Sequence, residues 1–168
     1  KKSTLSELRH RIGGFIYNIS KKDCDKWVPR RQRMYLPVEM DRATRKVYNQ
    51  LTENLIAELP SGGVILAQNT MTKFVRLRQL LACPAIIDNK LGVGQPFKSV
   101  IEHIKSNNEH AVIYTPFVEA IHIWRRYLKD KSKFKTFACI GGMSAQETDA
   151  EISAFERCKG HKPSILFI

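Results

Sequence analysis

The stretch from Ala111 to Ile168 changes rhythm in a way that few architectures accept. Ala111-Val-Ile-Tyr-Thr115 is a short apolar run suited to a buried strand. Thr115-Pro116 supplies an N-cap and a first-turn proline, opening a helix that runs to about Lys131. Phe134 to Ile140 predicts a second strand. Ser144-Ala-Gln-Glu147 is a capping box for a helix to about Arg157, and Ser164-Ile-Leu-Phe-Ile168 predicts a third strand. Strand–helix–strand–helix–strand at this spacing demands right-handed crossovers and a parallel sheet. The fold class is therefore α/β. About three strands are few for such a sheet, and the last is an apolar run with nothing after it to cover it. The expectation is an exposed final strand in a piece of a longer protein.

The first part of the chain reads differently. Thr4-Leu5-Ser6-Glu7 has the form of a capping box opening a short helix. Lys21 to Arg33 is polar and basic, and Met34 to Met40 alternates roughly as a strand would. Asp41 is placed to cap a helix on which Val47, Leu51, Leu55 and Leu59 recur every fourth residue. Pro60-Ser61-Gly62-Gly63 ends it, and a second helix is predicted from about Ile65 to Cys83, with Met71, Phe74, Val75, Leu77, Leu80 and Leu81 as its apolar face. The breakers Cys83-Pro84 and Gly92-Val93-Gly94-Gln95-Pro96 divide a mainly helical region, residues 1–92, from the alternating region, residues 93–168, where Phe97 to Ser106 opens with a further helix.

Composition narrows the function classes. With 43% hydrophobic residues in 168, the chain can bury a core. No apolar run approaches the roughly 20 residues that span a bilayer, and Lys1-Lys2-Ser3-Thr4 lacks the apolar stretch of a secretory signal. The four cysteines, Cys24, Cys83, Cys139 and Cys158, have neither C-x-x-C nor zinc-ligand spacing and read as reduced thiols, so no metal site is expected. The five histidines do not cluster and read as structural or exposed. The formal net charge is +12, which favours a polyanionic partner, nucleic acid before anionic lipid. The excess is uneven: residues 1–96 hold 17 Lys/Arg against 8 Asp/Glu, and residues 97–168 hold 11 against 8. A solvated basic surface without a partner is the competing reading.

Several blocks fall in a telling order: Arg76-Leu-Arg-Gln-Leu-Leu-Ala-Cys-Pro-Ala85, Phe97-Lys-Ser-Val-Ile-Glu-His-Ile104, Ala111 to Phe117, Gly141-Gly-Met-Ser-Ala-Gln-Glu147 with Ile152 and Phe155, and Ser164 to Ile168. This succession resembles the Swi/Snf-type DNA-translocating ATPases of helicase superfamily two. It is similar to the region joining their two motor lobes plus the first half of the second, RecA-like lobe. Gly14 to Asn18, Trp27-Val-Pro29 and Thr44 to Tyr48 are similar to the family's block before that lobe. There are departures: the family carries two arginines where Tyr17-Asn18 stand, leucine at Val28 and arginine at Thr148.

The resemblance implies a parent protein that hydrolyses ATP with magnesium and moves along double-stranded DNA, the chain working against a first motor lobe that is not in it. Phosphoryl transfer needs a phosphate cradle, a metal carboxylate and a charge-stabilising arginine together. No G-x-x-x-x-G-K-[ST] loop is present, and neither other part is recognisable. The chain alone is therefore expected to be inactive, with no catalytic residue and no cofactor of its own. The implied DNA contacts are Thr115, Gly141, Gly142 and Ser144, with Lys98, Arg76 and Arg78 as further candidates for phosphates. Glycines allow close backbone approach, and a helix N-terminus offers free N–H groups to a phosphate. The plain alternative at each is a turn, a cap or a solvated cation. The departures fit a bacterial or phage cytoplasmic protein better than a nuclear one. Two other classes remain open: a non-enzymatic basic nucleic-acid-binding module, and the acceptor half of a two-lobed Rossmann-type transferase, for which no carboxylate or glycine fingerprint appears.

Overall fold

A computed structural model describes residues 3–16, 32–131, 134–158 and 163–168. The basic run at Arg30-Arg31, the blocks Tyr17-Asn18 and Trp27-Val-Pro29, Cys24 and His161 lie outside those residues. Two units form, Lys1–Leu36 and Pro37–Ile168. In the first, helix α1 runs from Ser3 to Ile12, so Thr4 lies inside its first turn rather than at its cap. Arg11 and Glu7 pair one turn apart at 2.9 Å.

Residues 34–40, which cross the boundary between the two units, form no strand, since among the described residues their backbone groups join no ladder. Helix α2, Arg42–Asn54, is capped by Asp41, whose carboxylate accepts from Thr44 N at 2.9 Å and Thr44 Oγ1 at 2.8 Å. It buries Thr44, Val47 and Leu51. The four-residue spacing predicted helix on to Leu59, five residues further, and here the structure differs. Leu55 turns left-handed (φ 59°), and its carbonyl accepts from Ala67 N at 2.8 Å. Strands β1, Ile56–Glu58, and β2, Val64–Leu66, then pair antiparallel. The breaker Pro60–Gly63 is the hairpin turn, closed by Leu59 N to Gly63 O at 2.8 Å. A turn that can fold back lets Ala57 and Ala67 reach the core on a period of two, which a continued helix would not. Helix α3, Thr70–Ala82, therefore starts at the cap Asn69, five residues later than the periodicity predicted.

Two short 3-10 turns, Pro84–Ile86 and Asn89–Leu91, lead into α4, Gln95–Asn107. Asp88 ties this connection to the hairpin, accepting from Ser61 N at 2.7 Å and Lys90 N at 2.9 Å. Then come β3, Ala111–Ile113, α5, Val118–Lys131, β4, Lys135–Ala138, α6, Ala145–Arg157, and β5, Ser164–Phe167. The sheet is parallel, as the rhythm predicts, in the order β3-β5-β4. One expectation fails. The last strand is not an uncovered edge but the middle of the sheet, and Ser164 to Phe167 are all buried. The crossovers explain it: β3 and β4 are laid down first with a gap between them, and the most apolar strand fills that gap.

Two cores share the unit. One gathers Val47, Leu51, Ala57, Ala67, Leu77, Leu80 and Leu91. The other is built on Phe97, Trp124, Ile165 and Phe167, with Cys83 and Ala85 at its margin. They meet across residues 83–93.

Candidate nucleic-acid interface

Parallel strands bring their carboxyl ends to one edge, and that edge carries most of the implied contacts. Thr115 follows β3, the turn Ile140–Met143 follows β4, and Ile168 follows β5 between them. Hydrogen bonds continue the ladder past the strands: Thr115 N donates to Ile168 O at 2.9 Å, Ile168 N to Ile113 O at 3.0 Å, and Cys139 N to Phe167 O at 2.8 Å. The sheet therefore holds Thr115 and the Gly141–Ser144 turn in fixed relation, separated by the width of the central strand.

The individual groups differ in availability. Thr115 is buried at 7% exposure, and its hydroxyl accepts from Phe117 N at 3.3 Å. Helix α5 starts at Val118, three residues after Thr115, so Thr115 closes a local turn instead of capping the helix, and Pro116 lies ahead of the first turn. Gly141 and Gly142 are exposed, and a Cβ built on either meets nothing within 4 Å. Gly142 has φ 94°, a conformation side chains resist, so the turn requires glycine there. Met143 N closes the turn onto Ile140 O at 3.3 Å, while the Gly141 and Gly142 N–H groups donate to no protein acceptor among the described residues.

Ser144 is the predicted cap, and the capping box is complete. Its hydroxyl accepts from Glu147 N at 3.3 Å, while its own N–H and O–H donate to Glu147 Oε2 at 2.7 and 2.8 Å. The Ser144 amide pulls the Glu147 carboxyl below its ordinary value, the Ser144 hydroxyl adding to the effect. The helix end thus already holds an anion, its own side chain. An incoming phosphate would use the glycine amides and displace or avoid Glu147.

The cations divide. Arg78 lies over the Phe117 ring, 5.9 Å from its centroid, which joins α3 to the turn after Thr115. Arg76 is turned inward to Gln79, Nη1 to Oε1 at 3.0 Å. Lys98 is exposed in the first turns of α4, with no contact that ties it to the sheet edge. Lys73 Nζ donates to the Thr52 carbonyl. Arg78 alone of these four is drawn to the edge by a contact.

Other groups have structural employment. Burial pushes the Cys83 thiol up to about 11, and burial, with the Glu151 charge beside it, raises that of Cys139, so neither suits a nucleophile. The cysteines among the described residues are unbridged, and no cluster of three metal-ligating side chains occurs among them. Trp124 is core, stacked on Phe97 at 4.5 Å with its Nε1 donating to Val93 O at 3.3 Å. His110 Nδ1 contacts Ser164 Oγ at 2.8 Å. No helix among the described residues is long and apolar enough to cross a membrane.

A feature the motif reading missed lies elsewhere. His122, Arg125, Arg126 and Lys129 line a groove of about 350 Å³ with Phe134 and Thr136. The signal was legible, since positions 122, 125, 126 and 129 share one helical face.

Comparison with known proteins gives one structural likeness of note. The chain is similar to the Sulfolobus solfataricus SWI2/SNF2 ATPase C-terminal domain, with 19% sequence identity and a TM-score of 0.48, over 75% of this chain and 57% of that one. The chain thus spans somewhat more than half the length of the protein it matches. No family model matches the sequence, and no curated protein matches it.

Proposed function

We propose that this chain is part of a DNA-translocating ATPase, supplying the first half of a second, RecA-like motor lobe and contacts to the phosphates of duplex DNA. The observation that carries the reading is the convergence at the carboxyl edge. Thr115 and the Gly141–Ser144 turn are far apart in sequence, and the strand order sets both beside Ile168. Gly142 there offers an open backbone with unused amides, and Arg78 adds a cation next to the β3 end. Such contacts position a strand without reading its sequence. ATP and magnesium belong in this reading to a phosphate-binding lobe outside the chain, and the chain by itself hydrolyses nothing. A cytoplasmic, bacterial or phage-encoded parent suits it best.

The test is ATP hydrolysis with and without duplex DNA. The chain alone should show none. A parent carrying both lobes should show a DNA-stimulated rate, and Gly142→Ala should lower that stimulation while leaving the DNA-free rate unchanged. Hydrolysis by the isolated chain, or a parent rate indifferent to DNA, defeats the proposal. One observation favours a second reading, a non-enzymatic basic nucleic-acid-binding module: β5 is enclosed on both sides, so the sheet does not depend on an outside partner to cover its most apolar strand. A parent that binds DNA but never hydrolyses ATP would select it.

A further inference from the structure

Helix α5 has two faces. Ala120, Ile121, Trp124 and Leu128 are buried against the sheet. His122, Arg125, Arg126 and Lys129 form the opposing stripe and, with Phe134 and Thr136 as floor, line the groove between α5 and the edge strand β4. None of these four side chains makes an ion pair or hydrogen bond among the described residues. His122, Arg126 and Lys129 are exposed and Arg125 is half-buried. Helix α5 also carries Glu119 and Asp130, and Glu119 makes no pair with the stripe among the described residues.

The groove is not the carboxyl edge seen from another side. Helix α5 leaves the carboxyl end of β3 and runs back toward the amino end of the sheet, where Phe134 and Thr136 begin β4. Lys129 lies eleven residues into the helix from Val118, about 16 Å along its axis. The charges of the two places also differ. Helix α6, behind the glycine turn, carries Glu147, Asp149, Glu151 and Glu156 against Arg157 alone. The acids of α6 leave the turn in front of it only its backbone amides to offer a phosphate, whereas α5 offers charged side chains.

We infer that the α5–β4 groove is a second polyanion site, taking the phosphodiester backbone of nucleic acid. Seven residues of helix set the stripe's length at about 10 Å. At about 3.4 Å per nucleotide of one strand, that faces roughly three successive phosphates. The groove is open to solvent, so a backbone can pass along it. Arginine's planar fork matches phosphate oxygens, and two of the three cations are arginines. The inference extends the proposed function but does not need the carboxyl edge to be correct.

The experiment is fluorescence anisotropy of a labelled 20-base-pair duplex with the 168-residue chain, between 50 and 200 mM salt. Each lost phosphate contact lowers the slope of log K against log salt by about 0.9. Arg126→Gln with Lys129→Gln should therefore flatten the slope by about 1.8, without shifting the thermal midpoint, because both side chains are exposed. Exchanging the two cations, Arg126→Lys with Lys129→Arg, should restore it. Gly142→Ala separates the two sites. If that variant weakens binding and the double variant does not, the carboxyl edge stands and the groove falls; the reverse result supports the groove and removes the edge. No measurable binding by the unaltered chain overturns both. Polyglutamate displacing the duplex equally well at equal charge concentration would overturn the nucleic-acid assignment in favour of an acidic peptide.

Discussion

Glu147 shows how one residue can occupy the place that a ligand was expected to take. The sequence marked it as the far half of a capping box, and it takes two hydrogen bonds from Ser144. Those bonds hold its carboxyl below the ordinary 4.5. A depressed carboxyl stabilises the fold fully above its unfolded value and ceases to do so as pH falls through the folded one. The acid limb of the stability curve below pH 4.5 should therefore be shallower in Glu147→Gln than in the parent, as read from thermal midpoints at successive pH values. An unchanged limb would mean that the box contributes nothing in solution. Asp88 adds to the same limb, lowered first by the Lys90 amide, and so does Asp41, where burial raises the carboxyl but the hydrogen bonds from Thr44 and from the Asp41 and Ala43 amides together lower it. Phe97 illustrates the opposite role: it stacks on Trp124 and meets Tyr127 edge-on at 6.2 Å, fastening α4 to α5.

At the scale of elements, the connections decide where helices and strands lie. Gly94 joins the 3-10 turns to α4 with φ 89°, and a Cβ there would sit 2.8 Å from Pro84 Cδ. Both strain and clash oppose a side chain, so Gly94→Ala should cost about 2–3 kcal/mol in urea denaturation. Gly142→Ala, strained but open, should cost about 1 kcal/mol. Equal losses would show that the contact with Pro84 relaxes freely. The edge strand β4 has its own protection, since Glu151 of α6 accepts the outward N–H of Ala138 at 2.9 Å and leaves that donor unavailable to another strand. The hairpin was the element least legible in advance. Val47, Leu51, Leu55 and Leu59 fit a helix, and nothing local in those residues announces that Leu55 turns left-handed.

Across the whole molecule, residues 37–168 contain both cores, so the chain beginning at Pro37 should unfold cooperatively at the same urea midpoint as the longer one. A non-cooperative or strongly shifted transition would show that residues 1–36 contribute to the fold. Much of this unit was legible. The five elements from Ala111 onward follow their predicted order because each is announced by local chemistry: apolar runs for the strands, a Thr-Pro turn before α5 and a capping box for α6. The carboxyl-edge cluster was legible for the same reason, since parallel strands place their ends together whatever their order.

What the sequence determined alone was the element types from Ala111 onward, the parallel direction and the complete cap at Ser144, because these depend on residues within a few positions of one another. Tertiary structure decided the rest. It set β5 in the middle of the sheet, turned Leu55 into a hairpin, sent Arg76 inward while Arg78 went to Phe117, and stood three cations of α5 beside an edge strand. Each of these depends on which distant surface competes best for burial or hydrogen bonds, and that competition is settled only when the whole chain has packed.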